Sequence, residues 1–180
     1  GTVSEEVGYV NHLSRYKVFP TTPMAVKTLN EAGVKAILIT NQAGVARGYF
    51  TEDLITRVHD RLAQELAAEG ARLDAIYYCP HHPSVGEPPY RADCNCRKPK
   101  TGLLERAAAE HNIDLNRSFM VGDRISDIEL IKRVGGRGVM VMTGYGLGEY
   151  EYQRDKWRVE PDHIAADLPR AVEWILAQLR

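Results

Sequence analysis

The chain has 180 residues, with 23 Lys and Arg set against 24 Asp and Glu. That length suits one domain, residues 1–180, with a real hydrophobic core. The near balance of charge argues against a broad footprint for nucleic acid or an anionic membrane, and no apolar run approaches a membrane span.

Gly1 to Glu6 shows neither the basic nor the apolar region of a signal peptide, so a cytoplasmic setting is expected. Thr22-Pro23 marks a helix start, and Gly33 stops that helix after Ala32. Val34 to Ile39 reads as a buried strand ending at Thr40. Thr51 is placed to cap a long helix whose first turn carries Glu52 and Asp53. Leu54, Val58, Leu62 and Leu66 recur every four residues and predict its core face, with Gly70 as the stop. A second strand, Leu73 to Cys79, leads into a proline-rich polar loop from Pro80 to Lys100. Then come a helix over Leu103 to His111, a strand over Ser118 to Val121, and a helix over Ile125 to Val134. Gly135-Gly136 ends that helix, and Gly138 to Met142 forms another strand. A polar stretch with several Tyr and Gly leads to a short edge strand at Ile164 to Ala166. A final amphipathic helix starts near Pro169.

Strands and helices joined in alternation predict an α/β fold: a three-layer, Rossmann-like parallel sheet with helices on both faces. In such sheets ligands sit at the carboxyl ends of the strands. Chemically suggestive residues fall there: Thr40-Asn41-Gln42, Cys79, and Gly122-Asp123.

All three cysteines lie between Cys79 and Cys96, an odd and clustered set that argues against disulfides. Cys79-Pro80-His81 and Cys94-Asn95-Cys96 supply four ligands in two close pairs, which suits tetrahedral zinc. His82 is an alternative to His81, although alternation in an extended segment aims His81 to the side of Cys79. Four protein ligands leave no open position, so the site is expected to be structural. The remaining histidines, His12, His59, His111 and His163, read as surface or satisfied core residues.

Three further motifs converge on phosphoryl transfer. A hydroxyl and amides stand at Thr40-Asn41-Gln42, Arg97-Lys98-Pro99 follows the cysteine loop, and Asp123 and Asp127 open a helix. Singly each is weak: turn chemistry, a solvated loop and a helix cap. Together they supply a carboxylate for Mg²⁺ and a lysine, hydroxyl and amides for phosphate oxygens.

In that order the motifs resemble the haloacid dehalogenase superfamily, whose members transfer phosphate through an aspartyl-phosphate intermediate. Thr40 is similar to its second motif, Lys98 to its third, and Asp123 with Asp127 to its fourth. Gly1-Thr2 is similar to the tail of the first motif, Asp-x-Asp-Gly-Thr. The cysteine loop ending in Cys-Arg-Lys-Pro narrows the resemblance to a zinc-loop subgroup of heptose bisphosphate and histidinol-phosphate phosphatases. Gly8-Tyr9-Val10, the run from Thr40 to Gly48, and Tyr77 to Pro83 resemble the heptose enzymes, as does the long gap between ligand pairs.

This resemblance implies a Mg²⁺-dependent phosphatase that removes the 7-phosphate of a heptose 1,7-bisphosphate for lipopolysaccharide or S-layer assembly. Asp123 would hold Mg²⁺, Lys98 would neutralise charge, and Thr40 would donate to a phosphoryl oxygen. Asn41, Gln42, Arg47 and Arg97 would hold the rest of the sugar phosphate, with Asp127 and Arg124 in support. The nucleophile and the general acid and base are expected in a strand just before Gly1, and residues 1–180 alone are expected to be inactive. A monomer with a small phosphorylated sugar as its partner is expected, with neither nucleic acid nor membrane. The rivals are a histidinol-phosphate or other sugar-phosphate phosphatase and a non-catalytic zinc-stabilised module.

Overall fold

The computed structural model describes residues 1–179. Five strands and six helices alternate: α1 (Thr22–Glu31), β1 (Ile37–Asn41), α2 (Glu52–Ala68), β2 (Ala75–Cys79), α3 (Gly102–His111), β3 (Phe119–Gly122), α4 (Ile125–Lys132), β4 (Arg137–Val141), α5 (Gly146–Gln153), β5 (His163–Ala165) and α6 (Leu168–Ala177). Every strand pair is parallel, as the alternation requires.

Side-chain alternation along the strands sets up three layers. Phe119 and Val121 of β3 pack with Val139 and Val141 against Ala171 and Ile175 of α6. Met120, between them, turns to the other face and meets Leu130 and Ile131 of α4. On β1, Leu38 faces Val26 of α1 and Leu62 and Leu66 of α2. Ile37 and Ile39 face Leu103 and Ala107 of α3.

The ladder is not continuous. β1 pairs with β2, and β3-β4-β5 form a separate group. The single sheet expected from the sequence is therefore divided among the described residues. Residues 35–39 and 117–121 line one cavity of about 640 Å³ between the two groups. Periodicity identified β1 and β3 as strands, but it carries no information on which strands are neighbours.

Local boundaries differ from expectation where side chains compete for backbone groups. Ala36 N donates to Asp74 Oδ2 at 2.8 Å, and Val34 N caps α1 by donating to Leu29 O at 2.9 Å, so β1 starts at Ile37. Thr22 lies inside α1 rather than at its cap, and its hydroxyl donates to Val3 O at 2.8 Å. Thr51 occupies the N-cap of α2 without a side-chain cap bond. Ile55, not Leu54, joins Leu62 and Leu66 as a buried residue of that helix. α5 was not foreseen: Gly146–Gln153 lies in the stretch read only as polar.

Candidate active site and metal loop

The carboxyl ends of β1 and β3 and the loop before α3 meet at one end of the central cavity. Gly1, Thr2, Thr40, Gln42, Lys98, Asp123 and Asp127 all line it. Five of these were expected site residues. Lys98 comes from a segment without regular structure, yet it is fixed from two sides. Asn41 accepts from Lys98 N at 3.0 Å and donates from Nδ2 to Lys98 O at 3.2 Å. The Lys98 ammonium meets Asp127 Oδ1 at 2.6 Å and Ile39 O at 3.3 Å. Asn41 was expected to contact substrate, but its amide is engaged with the Lys98 backbone and leaves one Nδ2 proton over. The flat amide fits a peptide unit's donor and acceptor together, and a strand end offers it at fixed height.

Thr40 Oγ1 accepts from Gln42 Nε2 at 3.1 Å, and Gln42 N donates to Cys79 O at 2.7 Å. The hydroxyl therefore keeps its own proton for a further acceptor. Asp123 lies across the cavity mouth. Its carboxylate accepts from Thr2 Oγ1 at 3.3 Å and from Tyr145 N at 3.0 Å, and it lies 3.9 Å from the Gly1 nitrogen. Asp123 lines the cavity, and its carboxylate is of the hard oxygen type that could hold a divalent cation. Asp127 is committed to Lys98 instead. Arg124 turns away to stack on Tyr145, its guanidinium carbon 3.8 Å from the ring centre.

Four residues of the loop gather their donor atoms within 4.8 Å of one another: Cys79, His81, Cys94 and Cys96. The Cys79–Cys94 and Cys94–Cys96 sulfur separations are 3.5 and 3.2 Å, and His81 Nδ1 lies 3.3 Å from Cys96 Sγ. A tetrahedral ion with bonds of about 2.3 Å to sulfur would set sulfurs about 3.8 Å apart, so a small expansion of the cluster accommodates one. Burial pushes the Cys79 thiol well above its ordinary value, and a bound cation would supply the charge its thiolate needs. His82 does not join this cluster. Its ring faces Arg47, Nε2 lying 3.4 Å from Arg47 Nη2, and burial followed by the Arg47 and Arg97 cations lowers its basicity. Arg97 donates from Nη1 to His81 O at 3.3 Å.

Two groups of site residues escaped the sequence reading. The first follows β4: Thr143 Oγ1 donates to Gly1 O at 2.5 Å, Tyr145 N holds Asp123, and Glu149 Oε2 accepts from Ile125 N at 2.7 Å. Glu149 thus caps the helix that carries Asp127, and burial raises its pKa. The rule that led to the other strand ends applied here too, since Thr143-Gly144 follows a buried strand. The second is Glu52, read as a helix-dipole acid. It accepts from Tyr78 Oη at 2.5 Å and Tyr90 Oη at 2.7 Å, tying α2 to β2 and to the metal loop.

A family model described as HAD-hydrolase-like matches residues 95–171. A D-glycero-D-manno-heptose-1,7-bisphosphate 7-phosphatase of Thermosynechococcus vestitus is 43% identical over 185 residues, spanning 99% of this chain and 93% of that protein. The D-glycero-beta-D-manno-heptose-1,7-bisphosphate 7-phosphatase of Pasteurella multocida is 38% identical over 179 residues, spanning 96% and 92%. A crystal structure of D,D-heptose 1,7-bisphosphate phosphatase from B. bronchiseptica, complexed with magnesium and phosphate, matches with a TM-score of 0.86 at 28% identity, covering 99% of this chain and 94% of that one. With its phosphate-site motifs at the strand ends and its four-ligand loop beside them, this chain belongs to the D-glycero-D-manno-heptose-1,7-bisphosphate 7-phosphatase family of haloacid-dehalogenase-like hydrolases.

Proposed function

We propose that the protein removes the 7-phosphate of D-glycero-D-manno-heptose 1,7-bisphosphate by Mg²⁺-dependent hydrolysis through an aspartyl-phosphate. The observation that carries this is the convergence of Lys98, Thr40 and Asp123 on one cavity end, in a chain 43% identical to a phosphatase of that name. Lys98, with Asp127 holding its ammonium, offsets negative charge on the phosphoryl oxygens. Thr40 donates its remaining proton to one of them. Asp123 would hold Mg²⁺, which supplies further charge neutralisation at the phosphate. Gln42, Arg47 and Arg97 bind the rest of the substrate, and the spare Nδ2 proton of Asn41 is available to it. Arg124 stacks on Tyr145, whose backbone amide holds the Asp123 carboxylate.

The nucleophile and the general acid and base belong to an Asp-x-Asp segment joined to Gly1. Support comes from the position of Gly1, whose nitrogen lies 3.9 Å from Asp123 Oδ2 at the end of the central cavity. A strand leading into Gly1 would lie between the edges of β1 and β3, and the cavity of about 640 Å³ there has the backbone groups of both edges to pair with it. Zinc is the ion that the cysteine loop would hold, for structural purposes. Three thiols held this close suit a reducing compartment, in keeping with a cytoplasmic setting. None of the helices is long and apolar enough to cross a membrane among the described residues.

The test is turnover by protein that includes the segment preceding Gly1, supplied with Mg²⁺ and a panel of phosphomonoesters. Heptose 1,7-bisphosphate should give the highest kcat/KM, with release of the 7-phosphate shown by ³¹P NMR. A preference for histidinol phosphate would reassign the substrate, and no turnover of any ester would favour a non-catalytic module. A sample whose intact mass matches only residues 1–180, yet turns over substrate, would refute the aspartyl-phosphate route.

A further inference from the structure

The segment after β4 grips the residues after β3 one by one. Tyr145 N donates to Asp123 Oδ2 at 3.0 Å. The Tyr145 ring carries the Arg124 guanidinium, whose carbon lies 3.8 Å from the ring centre. Glu149 Oε2 accepts from Ile125 N at 2.7 Å. Three consecutive residues, 123–125, are thus each held by Tyr145 or Glu149. These two stand four residues apart at the start of α5, so one face of the helix presents both. An acid in a first helical turn ordinarily serves the dipole of its own helix. Glu149 reaches to another helix instead. α4 has Arg124 at its N-cap with no side-chain cap bond, so Ile125 N is one of the amides that α4 itself leaves without an acceptor.

The grip has a fixed shape. Gly146 N donates to Thr143 O and Glu149 N to Tyr145 O, each at 2.9 Å, which sets the turn into α5. Gly144 takes a φ of +58°, which favours glycine, and a Cβ there would collide with the Asp123 carboxylate. A Cβ at Gly146 would collide with Val141 O at the end of β4. The backbone of residues 144–146 therefore lies close against both the Asp123 carboxylate and the strand end. Glu149 does not line the central cavity, so whatever it does for the site it does through residues 123–125.

We propose that Glu149 is a positioning residue for the divalent cation, acting with Tyr145 as a two-point clamp that sets the Asp123 carboxylate. This rests on the reading of Asp123 as the cation's ligand. With Glu149 present, the segment is fixed at Asp123 and again at Ile125, so the turn between them cannot rotate. Without it, both remaining contacts from α5 are made by Tyr145 alone. The segment then has a single pivot, and the carboxylate samples orientations that do not suit the ion. Affinity for the cation is the quantity this changes, because outer partners of a ligand act by holding its orientation.

The experiment measures Mn²⁺ binding from the EPR signal of the free ion. It uses protein that includes the segment preceding Gly1 and carries its zinc, with no sugar phosphate present. Wild-type protein should bind Mn²⁺ at a site that Asp123→Asn abolishes. Glu149→Ala should raise the Mn²⁺ Kd about tenfold, as for loss of an outer partner of a metal ligand. Glu149→Gln keeps an acceptor for Ile125 N and should regain most of that affinity. Glu149→Asp keeps the charge but is too short to reach, and should behave as Glu149→Ala does. The same order should appear in the Mg²⁺ concentration that half-saturates turnover, with KM for heptose 1,7-bisphosphate at saturating Mg²⁺ unchanged. A Glu149→Ala protein that melts earlier yet binds Mn²⁺ like wild type would overturn the assignment, since Glu149 would then be structural only. So would a Gln variant as weak as the Ala one, or Mn²⁺ binding that survives Asp123→Asn. If Glu149→Ala does not fold, the Asp and Gln variants carry the same contrast. The binding series intact, with no turnover of any phosphomonoester by the wild type, would count against the proposed reaction alone.

Discussion

Removing the carboxylate of Asp127 should weaken both the fold and the chemistry, and the size of the first effect follows from the geometry. Lys98 Nζ lies 2.6 Å from Asp127 Oδ1, with side-chain exposures of 15% and 6%. At an effective dielectric of about 20, that separation corresponds to about 6 kcal/mol of gross attraction. Desolvating the two charges costs several kcal/mol each, so the pair adds little net stability over an apolar substitute. Breaking one side is different, because the other charge is left buried and uncompensated, typically at about 3–5 kcal/mol. Lys98 retains Ile39 O as a partner at 3.3 Å and some access to water, so the lower end applies to Asp127→Ala. About 3 kcal/mol in a domain of this size lowers Tm by about 6–12 °C. Turnover should drop at least about tenfold, because the ammonium is no longer held against the phosphoryl site. Zinc content should not change, since no ligand is touched. Gly122→Ala offers an independent approach: its Cβ would fall 2.4 Å from Asp127 Cβ and Oδ2, displacing the same carboxylate. Thermal denaturation alongside initial rates measures both effects. An Asp127→Ala protein melting within about 2 °C of wild type, with undiminished turnover, would show that the pair neither strains the core nor positions Lys98.

Replacing a ligand, as in Cys94→Ala, should abolish stoichiometric zinc binding and reduce turnover indirectly, whereas Lys98→Ala should abolish turnover with full zinc; elemental analysis paired with kinetics distinguishes the two, and wild-type protein purified without zinc in the absence of chelator would contradict the loop assignment. Asp123→Asn keeps the bonds from Thr2 and Tyr145 but loses charge, so activity should collapse at ordinary Mg²⁺; near-normal rates there would remove Asp123 from the cation site. Hydroxyls of Tyr78 and then Tyr90 hold the Glu52 carboxylate below its ordinary value of 4.5. Its stabilising share is therefore complete above that value and disappears as pH falls through the lower folded value. Glu52→Gln should flatten this part of the acid-stability curve, and identical curves for the two proteins would deny the tyrosine clamp any role.

How much of this was legible in the sequence depends on how far apart the partners lie. Thr40, Cys79 and Asp123 stood out because a buried apolar run ends just before each, and a parallel sheet puts ligands at such ends. The cysteine loop was found because two close ligand pairs are a local signal. Glu52 was visible only as an acid in a first helical turn, since its partners Tyr78 and Tyr90 lie 26 and 38 residues away. The Thr143–Glu149 segment was missed for another reason. One of its main contacts with the site, Tyr145 N to Asp123, is made by a backbone group, which any residue but proline supplies. Asn41 was singled out by its position at a strand end, and its partner in the structure is the backbone of Lys98, 57 residues further on.

The placement of Lys98 shows how a side chain on an irregular loop can be made as definite as one on a strand. Lys98 lies two residues beyond Cys96, within residues 80–100, a stretch with no helix or strand that is held by turn bonds and one bridge between His82 and Arg91. Such a segment would ordinarily be mobile, with its lysine ammonium sampling many positions. Here three anchors act on three different parts of it. The cysteine and histidine cluster holds Cys96 just upstream, Asn41 at the end of β1 grips the Lys98 peptide, and Asp127 at the start of α4 takes its ammonium. The anchors come from separate elements of the sheet and its helices, so each constrains freedom the others leave. A metal held there would fix where the loop leaves the cluster, while the amide sets the backbone orientation at Lys98 and the carboxylate selects the rotamer. A structural ion in that cluster would therefore have a direct chemical reason under the proposed reaction: it would help turn a loop lysine into a pre-positioned charge, and pre-positioning is what electrostatic stabilisation of a phosphoryl transition state requires.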